Sequence, residues 1–160
     1  MNVEVLQADY HNEKHAADLV YLLDSYARDS MGGGVPLSEE TVQNLGAELA
    51  KLPHAFSVLC YVDEAPVGLV NCFEGFSTFK CKPLINIHDI AVVGDFRGLG
   101  LSQRMLGEVE KIARHRGCCK ITLEVLEGNE VAKNAYLKFG FDGYELDPTL
   151  GKAMFWQKNI

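Results

Sequence analysis

Apolar residues recur along this chain at helical spacing in some stretches and crowd together in others. From about residue 11 to residue 28 they return every three or four positions, as in a helix that buries one face. Ser38 is a suitable N-cap for a second helix that ends near Leu52, just before Pro53. Similar patterns, each closed by a glycine, predict later helices over residues 100–115 and 129–139.

Stretches rich in valine, isoleucine and aromatic residues predict the strands. Residues 56–62 and 67–76 flank a short turn and form a predicted hairpin. The order of strands and helices predicts an α/β fold with a mixed sheet, and no repeat or linker divides residues 1–160, which we expect to form a single domain. The other predicted strands cover residues 3–6, 84–93, 121–125 and 153–157, the last paired with residues near Tyr144.

The charge balance argues against some classes of partner. The chain carries 15 basic and 22 acidic residues, a net charge of −7. Nucleic-acid-binding domains usually carry the opposite sign, so we expect no nucleic-acid partner, and a cationic partner suits this charge better than an anionic one. No apolar run reaches the ~20 residues of a membrane span, and the N-terminal residues do not resemble a signal peptide. We therefore expect a cytoplasmic protein with no membrane partner.

The cysteines agree with a reducing compartment. There are five of them, an odd number, and none forms a Cys-x-x-Cys pair. The adjacent pair Cys118-Cys119 lacks the surrounding ligand spacing of a zinc site. We expect reduced thiols and no metal.

The most distinctive chemical feature is the glycine-rich turn between the strand at 84–93 and the helix at 100–115. Free amides at the start of a helix, with glycines that allow close approach, form a cradle for an anion such as phosphate. A nucleotide P-loop would need a lysine after Gly100, and a dinucleotide fingerprint would need a small residue where Gln103 stands. Neither nucleotide class is therefore indicated, and a plain strand-to-helix connection is the alternative on the turn alone.

The turn carries a family resemblance. Arg97-Gly98-Leu99-Gly100-Leu101-Ser102 resembles the Arg/Gln-x-x-Gly-x-Gly/Ala signature of the GNAT superfamily of N-acetyltransferases, with Ser102 standing where the family prefers glycine or alanine. The resemblance implies a single GNAT-like domain with a mostly antiparallel twisted sheet flanked by about four helices. It also implies that acetyl-CoA is the co-substrate. The backbone contacts to its pyrophosphate would come from Arg97, Gly98, Leu99, Gly100, Leu101 and Ser102.

A second motif lies on the last predicted helix. Asn129, Ala132 and Tyr136 are three and four positions apart and so share one helix face. From the residues alone they could be a cap, a packing alanine and a core tyrosine. The segment Asn129-x-x-Ala132-x-x-x-Tyr136-x-x-x-Gly140-Phe141 also resembles the GNAT pattern. That resemblance implies that Asn129 contacts the pantetheine arm of the cofactor and that Tyr136 is the general acid at the departing sulfur.

Two polar residues interrupt the apolar strand before the turn. His88 can accept a proton near neutral pH, and Asp89 could bind or deprotonate a cationic amine. Because they are adjacent, both can line one pocket only if a bulge interrupts the strand, and both could instead be structural polar residues. The base is therefore His88, Asp89 or an ordered water. The GNAT resemblance implies that the backbone of the same strand pairs with the cofactor arm through Ile90, Ala91, Val92 and Val93.

A shorter resemblance concerns the acceptor. Gly75-Phe76-Ser77-Thr78-Phe79-Lys80, followed by Lys82-Pro83, resembles a segment of the polyamine and thialysine acetyltransferase branch, which implies a small primary amine. Family resemblance also places the acceptor near the loop at 31–36, whose glycines suggest mobility, and makes a homodimer an expectation. The alternatives are a non-catalytic acyl-CoA-binding regulatory module, or an acetyltransferase for a protein N-terminus, lysine or aminoglycoside. Acidic residues considered for contact with the cation are Asp29, Glu74, Asp89 and Glu124.

Overall fold

The structure is a computed structural model that describes residues 1–143 and 147–160. Its core is a five-stranded sheet in the order β1-β2-β3-β4-β5. Within the described residues four α-helices accompany the sheet. The strands are β1 (Val3–Gln7), β2 (Ala55–Val62), β3 (Ala65–Ser77), β4 (Lys82–Val92) and β5 (Ile121–Leu123), and the helices are α1 (Glu13–Arg28), α2 (Glu39–Ala50), α3 (Leu101–His115) and α4 (Glu130–Phe139).

The sheet is mixed, as predicted. Strands β1 to β4 are antiparallel neighbours, and β5 runs parallel to β4. The β2–β3 hairpin turns at Asp63 and Glu64, whose φ angles of 47° and 70° are those of a tight turn that follows the strand twist. The parallel pair needs a long crossover, which α3 supplies.

Alternating side chains give the sheet two buried faces. Phe56, Val58 and Cys60 of β2 face α3, where they pack with Met105 and Val109. The alternate residues of β2 face the other way, and their cluster contains Leu59 and Tyr61 of β2 with Leu19, Leu22 and Leu49 of α1 and α2. Each fully buried side chain of this size contributes roughly 1.5–3 kcal/mol. The two clusters therefore hold α1 and α2 on one face and α3 and α4 on the other.

Side-chain caps fix where three helices begin. Asn12, Ser38 and Asn129 each accept a hydrogen bond from the backbone N–H three residues on, in the usual N-cap arrangement. The predicted cap at Ser38 is therefore confirmed. Gly140, in the left-handed region at φ 115°, ends α4 as the sequence predicts. None of the described helices is both long and apolar enough to span a bilayer.

Two strand predictions are wrong. The predicted strand at 121–125 is shorter, because β5 pairs with β4 only through Ile121, Thr122 and Leu123. Residues 153–157 form no strand, and Met154, Phe155 and Trp156 are exposed. Strand formation depends on pairing with a neighbour, so a favourable local composition was not sufficient there. The predicted partner near Tyr144 lies outside the described residues.

Candidate active site

A bulge in β4 brings His88 and Asp89 to the same face of the sheet. Asn71 of β3 lies opposite Asp89, and the next residue, Cys72, lies opposite Ile87, so His88 is an extra residue in β4. An extra residue breaks the alternation of side chains and turns two successive residues to one side. The bulge that His88 and Asp89 need in order to line one pocket is therefore present.

The contacts of the two side chains identify that face. The ring of His88 meets the ring of Phe73 edge-on, with centroids 5.7 Å apart. Asp89 Oδ2 accepts a hydrogen bond of 3.1 Å from Asn71 Nδ2. Phe73 packs against the cluster below α1 and α2, and Asn71, two residues away on a regular part of β3, faces the same way. His88 is exposed and Asp89 is half-buried, so both are within reach of a ligand on the α1–α2 side.

The edge of β4 next to the bulge is open to a ligand. β5 pairs only with residues Ile85 to Ile87, and the described part of the chain pairs nothing with β4 beyond that point on this side. Val93 N–H donates to Val67 O of β3 at 2.8 Å. Because alternate residues of an antiparallel strand bond the same neighbour, Ala91 also bonds β3. The backbone groups of Ile90 and Val92 therefore point to the open edge. Ile90 and Val92 are thus the two, among the four residues predicted to contact the cofactor arm, whose backbone groups face the open edge.

The glycine-rich turn lies just past the open edge. Gly98 and Gly100 adopt φ angles of 80° and 75°, which side-chain-bearing residues rarely adopt. Gly100 immediately precedes α3 and, without a side chain, provides no cap for it. The first amides of α3 are thus free of a side-chain cap, and its first turn carries no acidic residue. Leu101 is buried and anchors the helix start, which leaves the helix N-terminus able to receive an anion.

Arg97 ties this turn to the neighbouring elements. Its Nε donates to Val92 O at 3.0 Å, and its Nη2 donates to Asp29 Oδ2 at 3.1 Å. Backbone and side-chain hydrogen bonds, from Met31 N–H first and from Arg97 second, lower the pKa of Asp29. A cleft of about 120 Å³ lies here, and its lining includes Tyr26, Asp29, Ala91, Val92, Val93 and Arg97.

Tyr136 lies on the opposite face of the sheet from His88 and Asp89. It belongs to the cluster under α3 and α4 and is 9% exposed. Burial raises its pKa to about 12, with a smaller contribution from Tyr26 of α1. The phenol therefore stays protonated at neutral pH. Ala132 also packs against this cluster, and Asn129 Oδ1 caps α4 by accepting from Ala132 N–H at 3.2 Å. A contact from Asn129 to the cofactor would therefore come from its amide nitrogen.

The acidic residues considered for the cation separate into distinct environments. Asp29 is paired with Arg97, and Glu74 is paired with Arg116 at 3.3 Å. Glu124 is exposed, just past the end of β5. Asp89 is the one of the four that shares the face and the bulge with His88.

The glycine loop after α1 is folded back rather than extended. Val35 N–H donates to Ala27 O at 3.0 Å, and Gly34 N–H donates to Asp29 O at 3.0 Å. A Cβ at Gly32 would lie 1.9 Å from the carbonyl oxygen of Tyr26, so the loop needs glycine there to approach α1. The loop therefore supports the stretch of α1 that carries Tyr26.

Comparison with known proteins agrees with this geometry. The sequence profile of the Acetyltransferase (GNAT) family matches residues 19–141. The chain belongs to the GNAT acetyltransferase family. This GNAT chain is 26% identical over 120 residues to the thialysine N-epsilon-acetyltransferase of Bos taurus, a match that covers 70% of the chain and 69% of the relative. It is also 32% identical over 89 residues to an uncharacterised N-acetyltransferase of Methanocaldococcus jannaschii, covering 55% of the chain but 39% of that relative.

A solved structure extends the comparison to the whole fold. The aminoglycoside N-acetyltransferase AAC(6')-Iy, in complex with the bisubstrate analog CoA-S-monomethyl-acetylneamine, superposes with a TM-score of 0.77 at 18% identity and full coverage of both chains. At that identity the likeness shows the fold alone. The predicted family, fold class and assignment as an acyltransferase are confirmed for this GNAT chain.

Sequence reasoning missed two residues of the candidate site. Asn71 contacts Asp89 directly, and its amide in an otherwise apolar stretch of β3 was an available signal. Burial raises the pKa of Tyr26 of α1, and the nearby charges of Asp89 and Asp29 raise it further. Tyr26 also adds to the raised pKa of Tyr136. No sequence signal distinguishes Tyr26 from Tyr21 of the same helix, because its surroundings depend on how α1 crosses the sheet.

Proposed function

We propose that this chain transfers an acetyl group from acetyl-CoA to a small primary amine, by direct transfer while both substrates are bound. The observation that carries the proposal is the bulge at His88, which brings two ionisable side chains to one face beside the open edge of β4. Family membership supports the transfer of acetyl groups. The name of the bovine relative supports a primary amine as acceptor.

The described residues fit acetyl-CoA. Uncapped amides at the start of α3, with Gly98 and Gly100 before them, suit its pyrophosphate, and the guanidinium of Arg97 adds positive charge. The backbone groups of Ile90 and the N–H of Val92, which point to the open edge, suit the amides of the pantetheine arm, as an added strand would. Acetyl-CoA supplies the acetyl group as a reactive thioester.

His88 and Asp89 prepare the amine. An alkylammonium ion has to lose a proton before its nitrogen can attack. The Asp89 carboxylate, half-buried on the α1–α2 face, attracts the cation, and the exposed imidazole of His88 or a water bound to it accepts the proton. The net charge of −7 also favours approach of a cation.

Tyr136 and Val92 act on the other side of the reacting group. The buried phenol of Tyr136, with its pKa raised to about 12, keeps its proton and donates it toward the departing sulfur. The Val92 N–H, directed to the open edge, polarises the carbonyl oxygen. An acid on one face and a base on the other can act on one group only where the sheet is open between β4 and β5.

The test is release of thiol from acetyl-CoA in the presence of a panel of amines. The panel contains spermidine, lysine, thialysine, an aminoglycoside and a peptide N-terminus. Wild type is compared with Tyr136→Phe and with Tyr21→Phe, a matched control because Tyr21 is 56% exposed on α1. CoA binding is measured separately by calorimetry.

We expect turnover with a small primary amine, a rate at least tenfold lower in Tyr136→Phe, and an unchanged rate in Tyr21→Phe. CoA affinity should be the same in all three proteins. Tight CoA binding without turnover for any amine would reject the enzyme and favour the acyl-CoA-binding module. Turnover only with the aminoglycoside or the peptide would reject the small amine and keep the transfer.

The cysteines and the exposed apolar residues near position 155 support a compartment and an oligomeric state. All five cysteines are free, with Cys60 and Cys72 buried in the core, which suits a reducing compartment such as the cytoplasm. The exposed apolar side chains at 154–156 suit contact with a second copy of the chain, so we include a homodimer.

A further inference from the structure

Two buried polar residues stand in a row behind Asp89. Ser57 of β2 and Asn71 of β3 are 0% and 4% exposed, in strands that are otherwise apolar at their centres. Both lie on the α1–α2 face, because each is flanked at two-residue spacing by members of the cluster under those helices. With Asp89 of β4, they form a row that crosses three adjacent strands.

The hydrogen bonds in this row all run in one direction. Ser57 Oγ donates to Asn71 Oδ1 at 2.6 Å, and Asn71 Nδ2 donates to Asp89 Oδ2 at 3.1 Å. Since the Ser57 proton is used toward Asn71, the Tyr10 hydroxyl is the donor in its 2.8 Å bond with Ser57 Oγ. Burial raises the pKa of Tyr10, which keeps this first donor protonated.

This direction matters because a carboxylate only accepts hydrogen bonds. With its Oδ1 bonded to Ser57, the Asn71 amide cannot turn over without leaving a buried group unpaired, which is unfavourable. Its Nδ2 is therefore held toward Asp89, where it fixes the orientation of the carboxylate. Bonds that follow one another in a buried row also strengthen one another.

We propose that Asn71 and Ser57 are positioning residues that hold the Asp89 carboxylate in a fixed orientation at the bulge, with Tyr10 as the end of the row. This inference rests on the proposed function, in which Asp89 attracts the ammonium ion. If it holds, two buried residues of the sheet help to select a cationic acceptor, because they orient the carboxylate that binds it. An apolar pair at these two positions would fill the same space but would leave the carboxylate without its donor.

Several other ionisable groups surround Asp89 and contribute to the charge at the bulge. His88 precedes it in β4, and Cys72 of β3 interacts with it electrostatically. Tyr26 of α1 interacts with both Asp89 and Asp29, and Arg97 pairs with Asp29 at the end of that helix. None of these groups is altered in the variants used below, so a change between variants reports the row.

The test is the binding of spermidine, followed by carbon NMR at the Asp89 carboxyl group, in wild type, Asn71→Leu and Asn44→Leu. Asn44 is the matched control, since its side chain bonds a backbone carbonyl on the exposed surface of α2. Loss of the donor in Asn71→Leu leaves the carboxylate free to rotate away from the cation, and we expect a Kd about tenfold higher than in wild type. Asn44→Leu should bind spermidine as wild type does. In the transfer reaction, KM for the amine should rise in Asn71→Leu while kcat stays nearly the same.

Ser57 provides a second arm in case Asn71→Leu does not fold. Ser57→Ala releases the Asn71 amide, and we expect a smaller rise in the Kd for spermidine, which Ser57→Thr reverses by restoring the hydroxyl. A purely structural role would lower the melting temperature in Ser57→Ala and Asn71→Leu but leave the affinity for spermidine unchanged, and that outcome would overturn the inference. The binding measurement needs no turnover, so it stands apart from a failure of the proposed reaction, which would show as absence of thiol release in wild type.

Discussion

Arg97 Nη2 donates to Asp29 Oδ2 at 3.1 Å, and so connects the glycine-rich turn to the C-terminal end of α1. The two residues are 68 positions apart in sequence. The Arg97 side chain is half exposed, so the pair contributes little to stability, about 0–1 kcal/mol. The pair instead orients the Arg97 guanidinium beside the expected position of a phosphate.

Replacing Arg97 by glutamine should weaken CoA binding. We expect about a tenfold higher Kd at low salt, because a charge-assisted hydrogen bond to the pyrophosphate is lost. The difference should shrink at high salt. Calorimetry with CoA measures the Kd at low salt and at high salt. Arg114→Gln is the control, since Arg114 is exposed at the other end of α3 and, within the described residues, pairs with Glu110 of its own helix. An equal loss of CoA affinity in both variants would mean that Arg97 acts through net charge alone.

Gly32→Ala should destabilise the protein, because the new Cβ would lie 1.9 Å from the Tyr26 carbonyl oxygen. We expect a loss of about 1–3 kcal/mol in urea unfolding. Gly107→Ala is the matched change, since nothing lies within 4 Å of a Cβ at that helical position. It should stabilise by about 0.5–1 kcal/mol. A neutral Gly32→Ala would show that the loop moves away from α1 without cost.

Stability should fall as the pH rises above about 10. Burial raises the pKa of Tyr136 from 10.0 to about 12 in the folded state, so between these values the unfolded chain releases a proton that the folded protein keeps. Each such group costs up to about 1.4 kcal/mol per pH unit in that window and nothing below it. Urea unfolding at a series of pH values should show a shallower decline for Tyr136→Phe than for wild type. Parallel declines would contradict the raised pKa.

The apolar tail should govern self-association. Trp156 is 79% exposed and Phe155 is 72% exposed. If these side chains contact a second copy, replacing both with serine should convert a dimer to a monomer in sedimentation at micromolar concentration. The folding of residues 1–143 should be unaffected, as judged by circular dichroism. Replacing the exposed Phe79 of the β3–β4 turn is the control for loss of an exposed aromatic side chain. A wild-type monomer would remove the homodimer from the proposal.

The sequence predicted most of what depends on local pattern. The helices follow from apolar periodicity and from caps such as Ser38, whose effects act within one turn. The glycine-rich turn could be predicted because positive φ at Gly98 and Gly100 leaves few alternatives to glycine. The prediction of a strand at 153–157 is wrong because it used composition, which is favourable there, whereas a strand forms only when the tertiary structure brings a partner beside it.

What the sequence did not predict depends on contacts between residues that are far apart in the chain. The hydrogen bond from Asn71 to Asp89 spans 18 positions, and that from Tyr61 to Asp18 spans 43. The register of the sheet determines the first partner, and the packing of α1 on β2 determines the second. The bulge itself left a trace in the sequence, because the core-facing residues of β4 change from odd positions, ending at Ile87, to even positions, beginning at Ile90. A spacing of three between core residues in a strand is the trace to look for.

The extra residue at position 88 is required by the candidate site and not by the core. Deleting His88 or Asp89 would leave Ile87 and Ile90 two positions apart, which is the spacing of core residues in a regular strand, so both would still face inward. One polar side chain would then remain where two now face the same side. A β4 shortened by one residue should therefore keep its core and lose the pair of ionisable groups.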